Sequence, residues 1–88
     1  MQNYLVETYS PRLGEAECRA TATRARQAAE ELSRDGFSVR YVRSLFVAAD
    51  ETCFLVFESP SAEAVAEVSE KAGLAHTRIV VVDAEDEA

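Results

Sequence analysis

The sequence predicts an α+β fold, a four-stranded antiparallel sheet with two helices on one face. Three observations predict it. Segments with two-residue periodicity and segments with helical periodicity follow one another as strand, helix, strand, strand, helix, strand. Gly, Pro or Asp-Gly marks most of the switches between them. The third strand segment, TCFLVFE, is apolar on both faces, as a strand buried from both sides requires. The βαββαβ order is the split βαβ, or ferredoxin-like, arrangement. Its helices cover one sheet face only. Apolar residues on the other face call for a partner or ligand to cover it.

The first strand is expected over Tyr4–Thr8, with Tyr4, Val6 and Thr8 on one face and Leu5, Glu7 and Tyr9 on the other. Ser10-Pro11 ends it, because proline cannot donate to a ladder. The first helix is expected over Glu15–Arg34. Cys18, Ala22, Ala25, Ala29 and Leu32 form its inward stripe, and the many alanines let it lie close to the sheet. Asp35-Gly36 stops it, since glycine accepts a left-handed C′ position at little cost.

Alternation in the second strand, Phe37–Phe46, places Phe37, Val39, Tyr41, Arg43 and Leu45 on one face. Ser38, Arg40, Val42, Ser44 and Phe46 take the other. Residues 48–51 (AADE) make the hairpin connection to the third strand, Thr52–Glu58. A hydroxyl in Ser59-Pro60-Ser61 caps the second helix, Ser61–Ala72, and Glu63 suits its positive end. Ala62, Val65, Val68 and Ala72 are expected to face the sheet. Gly73 ends this helix, with Leu74 in place for a Schellman contact. The last strand is expected over Thr77–Asp83.

Eighty-eight residues make one small domain, expected over 1–84, followed by an acidic tail at 85–88. The net charge of −7 opposes nucleic acid and anionic membrane surfaces as partners, because both need a cationic footprint. Much of that charge lies in Asp83, Glu85, Asp86 and Glu87, which read as solvated. The segment MQNYLVETY has no basic n-region and runs straight into a strand, so a cytoplasmic location is expected. Cys18 and Cys53 form no metal-type CxxC. In such a location they read as buried thiols rather than a disulfide.

Glu7 is the main candidate site residue. It stands mid-strand between Leu5 and Tyr9, where an isolated buried carboxylate would be costly. Arg43 and Tyr41 on the second strand are expected on the matching face. There Arg43 would pair with Glu7 or steady a bound anion, and Glu7 would serve as a general base. His76, the single histidine, lies just before the last strand. It is a second candidate proton carrier or metal ligand. One histidine and no Gly-rich or GxSxG loop argue against zinc catalysis, a serine triad and a nucleotide site. Tyr4, Tyr9, Tyr41, Phe46, Phe54 and Phe57 are explained mostly by core packing.

The YLVE start, YVRSLF in the second strand, ETCFLVFESPSAEAV, and the EKAGL…RI ending carry a resemblance. Together, in this order and spacing, they resemble the small nickel-binding ferredoxin-like proteins of actinobacteria, formerly a domain of unknown function. The likeness covers nearly the whole chain apart from the first helix and the tail. It implies a ferredoxin-like fold, a homodimer (a dimeric α/β barrel with two sheets facing) and a Ni(II) site of histidine, carboxylate and water. Two departures bear on that site. Arg43 stands where the pattern has a strand histidine, and Val68 where many members carry a helix histidine. Neither supplies an ordinary ligand. Nickel here would rest on Glu7, Cys53 or His76, with the family's metal site altered or lost. Two other functions fit the layout: a small cyclase- or monooxygenase-like enzyme using Glu7, and a purely structural interaction domain.

Overall fold

The computed structural model describes residues 1–9, 14–74 and 76–82. The elements run β1 (Gln2–Tyr9), α1 (Glu15–Arg34), β2 (Arg40–Val47), a 3₁₀ turn (Ala48–Asp50), β3 (Thr52–Ser59), α2 (Ala62–Ala72) and β4 (His76–Val82). All strand pairs are antiparallel, in the order β2-β3-β1-β4. The expected ferredoxin-like topology is therefore the observed one. The Ser10-Pro11 stop, Asp83 and the acidic tail lie outside the described residues.

The two central strands, β1 and β3, supply most of the core. Val6, Cys53, Leu55 and Phe57 have no exposed surface, and Tyr4 and Thr8 are buried beside them. From α1, the inward stripe is Cys18, Ala22, Ala25, Ala28, Ala29 and Leu32. From α2 it is Ala64, Val65, Val68 and Ser69. Ala62, expected to face the sheet, is exposed; Ala64 takes that place. Helical spacing from Val68 selects position 64 or 65 rather than 62.

The ends of α2 follow the local chemistry. The Ser61 hydroxyl accepts the Ala64 N–H, and Gly73 sits at φ 68° while the Leu74 N–H bonds Ser69 O. At the end of α1, Asp35 is the C-cap and Gly36 follows at φ 101°. The start of α1 differs: Gly14 is the N-cap, and no side chain caps it.

Two expectations about β2 are corrected. The strand begins at Arg40 rather than Phe37, and Phe37 closes the α1 turn through its N–H to Leu32 O. Alternation also breaks within it. Tyr41 pairs with Phe57 and Arg43 with Val56, so Val42 is an extra residue opposite the 56–57 step. This β-bulge reverses the facing of everything after it. Tyr41, Ser44 and Phe46 pair with core-facing residues of β3; Arg43 and Leu45 pair with Val56 and Phe54 on the open face.

The cysteine expectation is corrected as well. Cys18 on α1 and Cys53 on β3 are joined in a disulfide, with Cα atoms 5.5 Å apart. Both belong to the buried interface between helix and sheet, which brings them within bonding distance.

Candidate functional site

The helix-free face of the sheet carries the expected site residue Glu7. Its strand neighbours are Phe54 of β3 and Arg78 of β4. The Arg78 Nε–H donates to Glu7 Oε2 at 2.8 Å, with the carboxylate side chain 23% exposed and the guanidinium 67%. The ladder explains the pairing: residues directly opposite on neighbouring strands bring side chains of one face together. Such a pair contributes about 0.2–1 kcal/mol and neutralises Glu7 in place.

Arg43 shares this face but stands diagonally across β3 from Glu7, two strand spacings across and two residues along, or ~12 Å away. The expected Glu7–Arg43 pair does not form, and no carboxylate among the described residues is paired with Arg43. Tyr41 is not beside either residue. The bulge turns it to the helix side, where its ring meets Phe57 edge-on at 5.8 Å. His76 opens β4 opposite Thr8, next to a register shift between Glu7 and Thr8. Glu7 and Arg43 thus share a face without touching, and Tyr41 belongs to the opposite layer.

Arg78 is the residue that sequence reasoning missed. It heads an otherwise apolar run, Ile79–Val82, and the one charge leading such a strand was the available signal. The disulfide also had a signal. Cys18 lies on the inward stripe of α1, and Cys53 occupies a strand expected to be buried on both faces.

The rest of the face is apolar with a second ion pair. Leu5, Phe54, Val56, Val80 and Val82 are half-buried, while Leu45 is 49% exposed. At the far end from Glu7, Arg40 Nη2 lies 2.7 Å from Glu58 Oε1. Among the described residues, the charges on this face are Glu7, Arg78, Arg43, Arg40 and Glu58, a net of +1 on a chain of −7.

Three of the surface grooves formed by described residues flank the helices. The largest of these three, about 420 Å³, runs between α1 and β2 and is lined by Ala29, Val39 and Tyr41 with Arg26, Arg34 and Glu30 among others. A second, about 200 Å³, lies between the helices at Arg24 and Lys71. A third, about 260 Å³, opens over Cys18 between α1 and β2. None of these three includes Glu7. Among the described residues, no helix is long and apolar enough to cross a membrane.

The model of a family described as nickel responsive protein SCO4226-like matches residues 4–82. The chain belongs to this family. Among solved structures, it is similar to SCO4226 from Streptomyces coelicolor A3(2), with a TM-score of 0.70 and 24% identity. That match covers 96% of this chain and 99% of the other. At that identity the likeness shows the fold. No curated protein matches the sequence.

The family description raises nickel, and the donor set can be tested against it. Among the described residues, no three His, Cys, Asp or Glu side chains gather into a group able to hold a metal ion. Cys18 and Cys53 are consumed by their disulfide, and Glu7 is held by Arg78. Arg43 and Val68 offer no lone pair to a cation. The described residues of the chain do not fit a nickel site.

Proposed function

We propose that this protein is a homodimeric binding module of the nickel-responsive family in which the helix-free sheet faces of two copies close on each other. The observation carrying this reading is the make-up of that face. It joins Leu5, Leu45, Phe54, Val56, Val80 and Val82 into one apolar surface of the kind that marks an interface. Its net charge of +1 also makes it the region where two chains of −7 repel each other least. A second copy therefore suits it better than an acidic or basic partner. A dimer would also offset the limited burial available to a chain of 88 residues.

Within that dimer, the Glu7–Arg78 and Arg40–Glu58 pairs are polar elements at the apolar interface, and Arg43 is the cation that a bound anion or a partner's carboxylate would meet. A ligand for Glu7 must displace Arg78 or bind both groups together. The enzyme alternative asks Glu7 to act as a general base in an enclosed cavity. Of the grooves formed by described residues, those at Tyr41, Lys71 and Cys18 lie away from Glu7.

Native mass spectrometry of tag-free protein, with and without Ni(II), tests the reading. A dimer without stoichiometric nickel is expected. A monomer at micromolar concentration refutes the paired sheets. A dimer that takes up one nickel per chain refutes the altered metal site.

A further inference from the structure

The Cys18–Cys53 disulfide holds the end of α1 that has least else to hold it. Gly14 gives that end no side-chain cap. The inward residues of its first half are Cys18 and Ala22, which bury little apolar area apart from the sulfur. The second half is anchored by Ala25, Ala28, Ala29 and Leu32, and by Ser33 Oγ donating to Val39 O at 2.6 Å. The two cysteines also sit differently with respect to the surface. Both are buried, Cys53 with no exposed surface and Cys18 at 3%, but Cys18 also lines the 260 Å³ groove with Glu15, Arg19, Ser44 and Phe46, so a small opening of α1 there uncovers its side of the bond first.

We infer that the Cys18–Cys53 bond is an exchangeable redox site, entered by a small thiol through the groove over Cys18, and that its reduction frees the first half of α1 from the sheet. The chemistry is ordinary thiol–disulfide exchange. A thiolate attacks Cys18 Sγ, the Sγ–Sγ bond breaks, and Cys53 leaves as a thiolate that takes up a proton. A second thiol resolves the mixed disulfide at Cys18, so two thiols become one disulfide and the protein gains two S–H groups. The docking of Cys53 favours the reverse step. Its strand is fixed by pairing on both sides, and Thr8 Oγ1 donates to the Cys53 carbonyl at 2.9 Å. When α1 closes again, Cys18 therefore returns to a sulfur that has not moved. A disulfide in a reducing cytosol is usually transient or redox-sensing, whereas in an oxidising compartment it persists. An exchangeable bond gives this family member a state that depends on its surroundings.

The test is native-state reduction by reduced glutathione, followed by thiol alkylation and mass spectrometry, with global unfolding measured in parallel. Reduction at least about tenfold faster than global unfolding is expected, with a Cys18–glutathione adduct as the first product. Hydrogen exchange of the reduced chain should then rise in residues 15–24 and stay low in β1 and β3. Ser44→Leu, which narrows the groove, should slow reduction, while Leu45→Ser on the opposite face should not. Reduction no faster than global unfolding would overturn the inference. So would an adduct first at Cys53, or exchange rising uniformly through the sheet.

Discussion

Removing the disulfide should cost a large share of the stability of this chain. The bond closes a loop over a sequence separation of 35 residues. In the chain-entropy account, opening a loop of that size costs about 4 kcal/mol at 25 °C. A domain of 88 residues has roughly 4–13 kcal/mol in total at ordinary stability per residue. The Cys18→Ala/Cys53→Ala double variant is the appropriate perturbation, because alanine suits the thin interface that Ala22 and Ala25 already make. The assay is urea unfolding by circular dichroism, paired with a thermal scan. A fall of about 3–4 kcal/mol is expected, with a melting temperature roughly 12–30 °C lower. A loss below about 1 kcal/mol would refute the reasoning. It would mean that the unfolded chain already keeps this loop nearly closed, or that α1 docks without the tether.

Further expectations rest on single residues. Leu45→Glu places a charge on the exposed apolar face; it should convert a dimer to monomer by light scattering while leaving the circular dichroism spectrum unchanged, and a dimer that persists would remove this face from the interface. Ser61→Ala deletes the cap on the Ala64 N–H and should lower stability by about 1 kcal/mol in urea unfolding. Gly73→Ala forces a Cβ into the left-handed region and should cost roughly 1–2 kcal/mol by the same assay. Arg78→Gln breaks the exposed pair with Glu7 and should change stability by less than about 1 kcal/mol. A larger loss would show that Glu7 is costly to leave uncompensated.

What was legible in the sequence was local. Ser61, Gly73 and Leu74 each act within one turn of helix, so their roles could be read from neighbours in the chain. The inward stripe of α1 follows directly from helical spacing, and all five residues expected there are buried. What could not be read depended on a second segment. Val42 is extra only relative to the 56–57 step of β3, so strict alternation wrongly put Tyr41 and Arg43 together. Arg78 meets Glu7 because β4 lies beside β1, a neighbour that strand order decides and pattern does not. The disulfide likewise needed the distance between α1 and β3. The candidate site suffered most because it was assembled from residues on three different strands.

The bulge at Val42 explains how one strand serves two layers, and it can be tested directly. The pairs Tyr41–Phe57 and Arg43–Val56 are already consecutive on β3, so Val42 is slack in the ladder. Deleting it leaves each remaining side chain facing as before: Tyr41 inward, Arg43 outward, Ser44 inward and Leu45 outward. The deletion should therefore fold, losing only the packing of a half-buried valine, at most about 2 kcal/mol. Deleting Ser44 instead is expected to be more damaging. The strand can absorb the loss only by drawing Val42 into the ladder, which turns Arg43 inward opposite Leu55. A guanidinium turned into that half-buried position against α1, beside Arg19, replaces the small Ser44 side chain and should cost more than the Val42 deletion does. Urea unfolding of the two deletion variants decides the matter. Equal losses would show that the bulge is not slack, and that the bend it gives β2 is itself required for the sheet to close over α1.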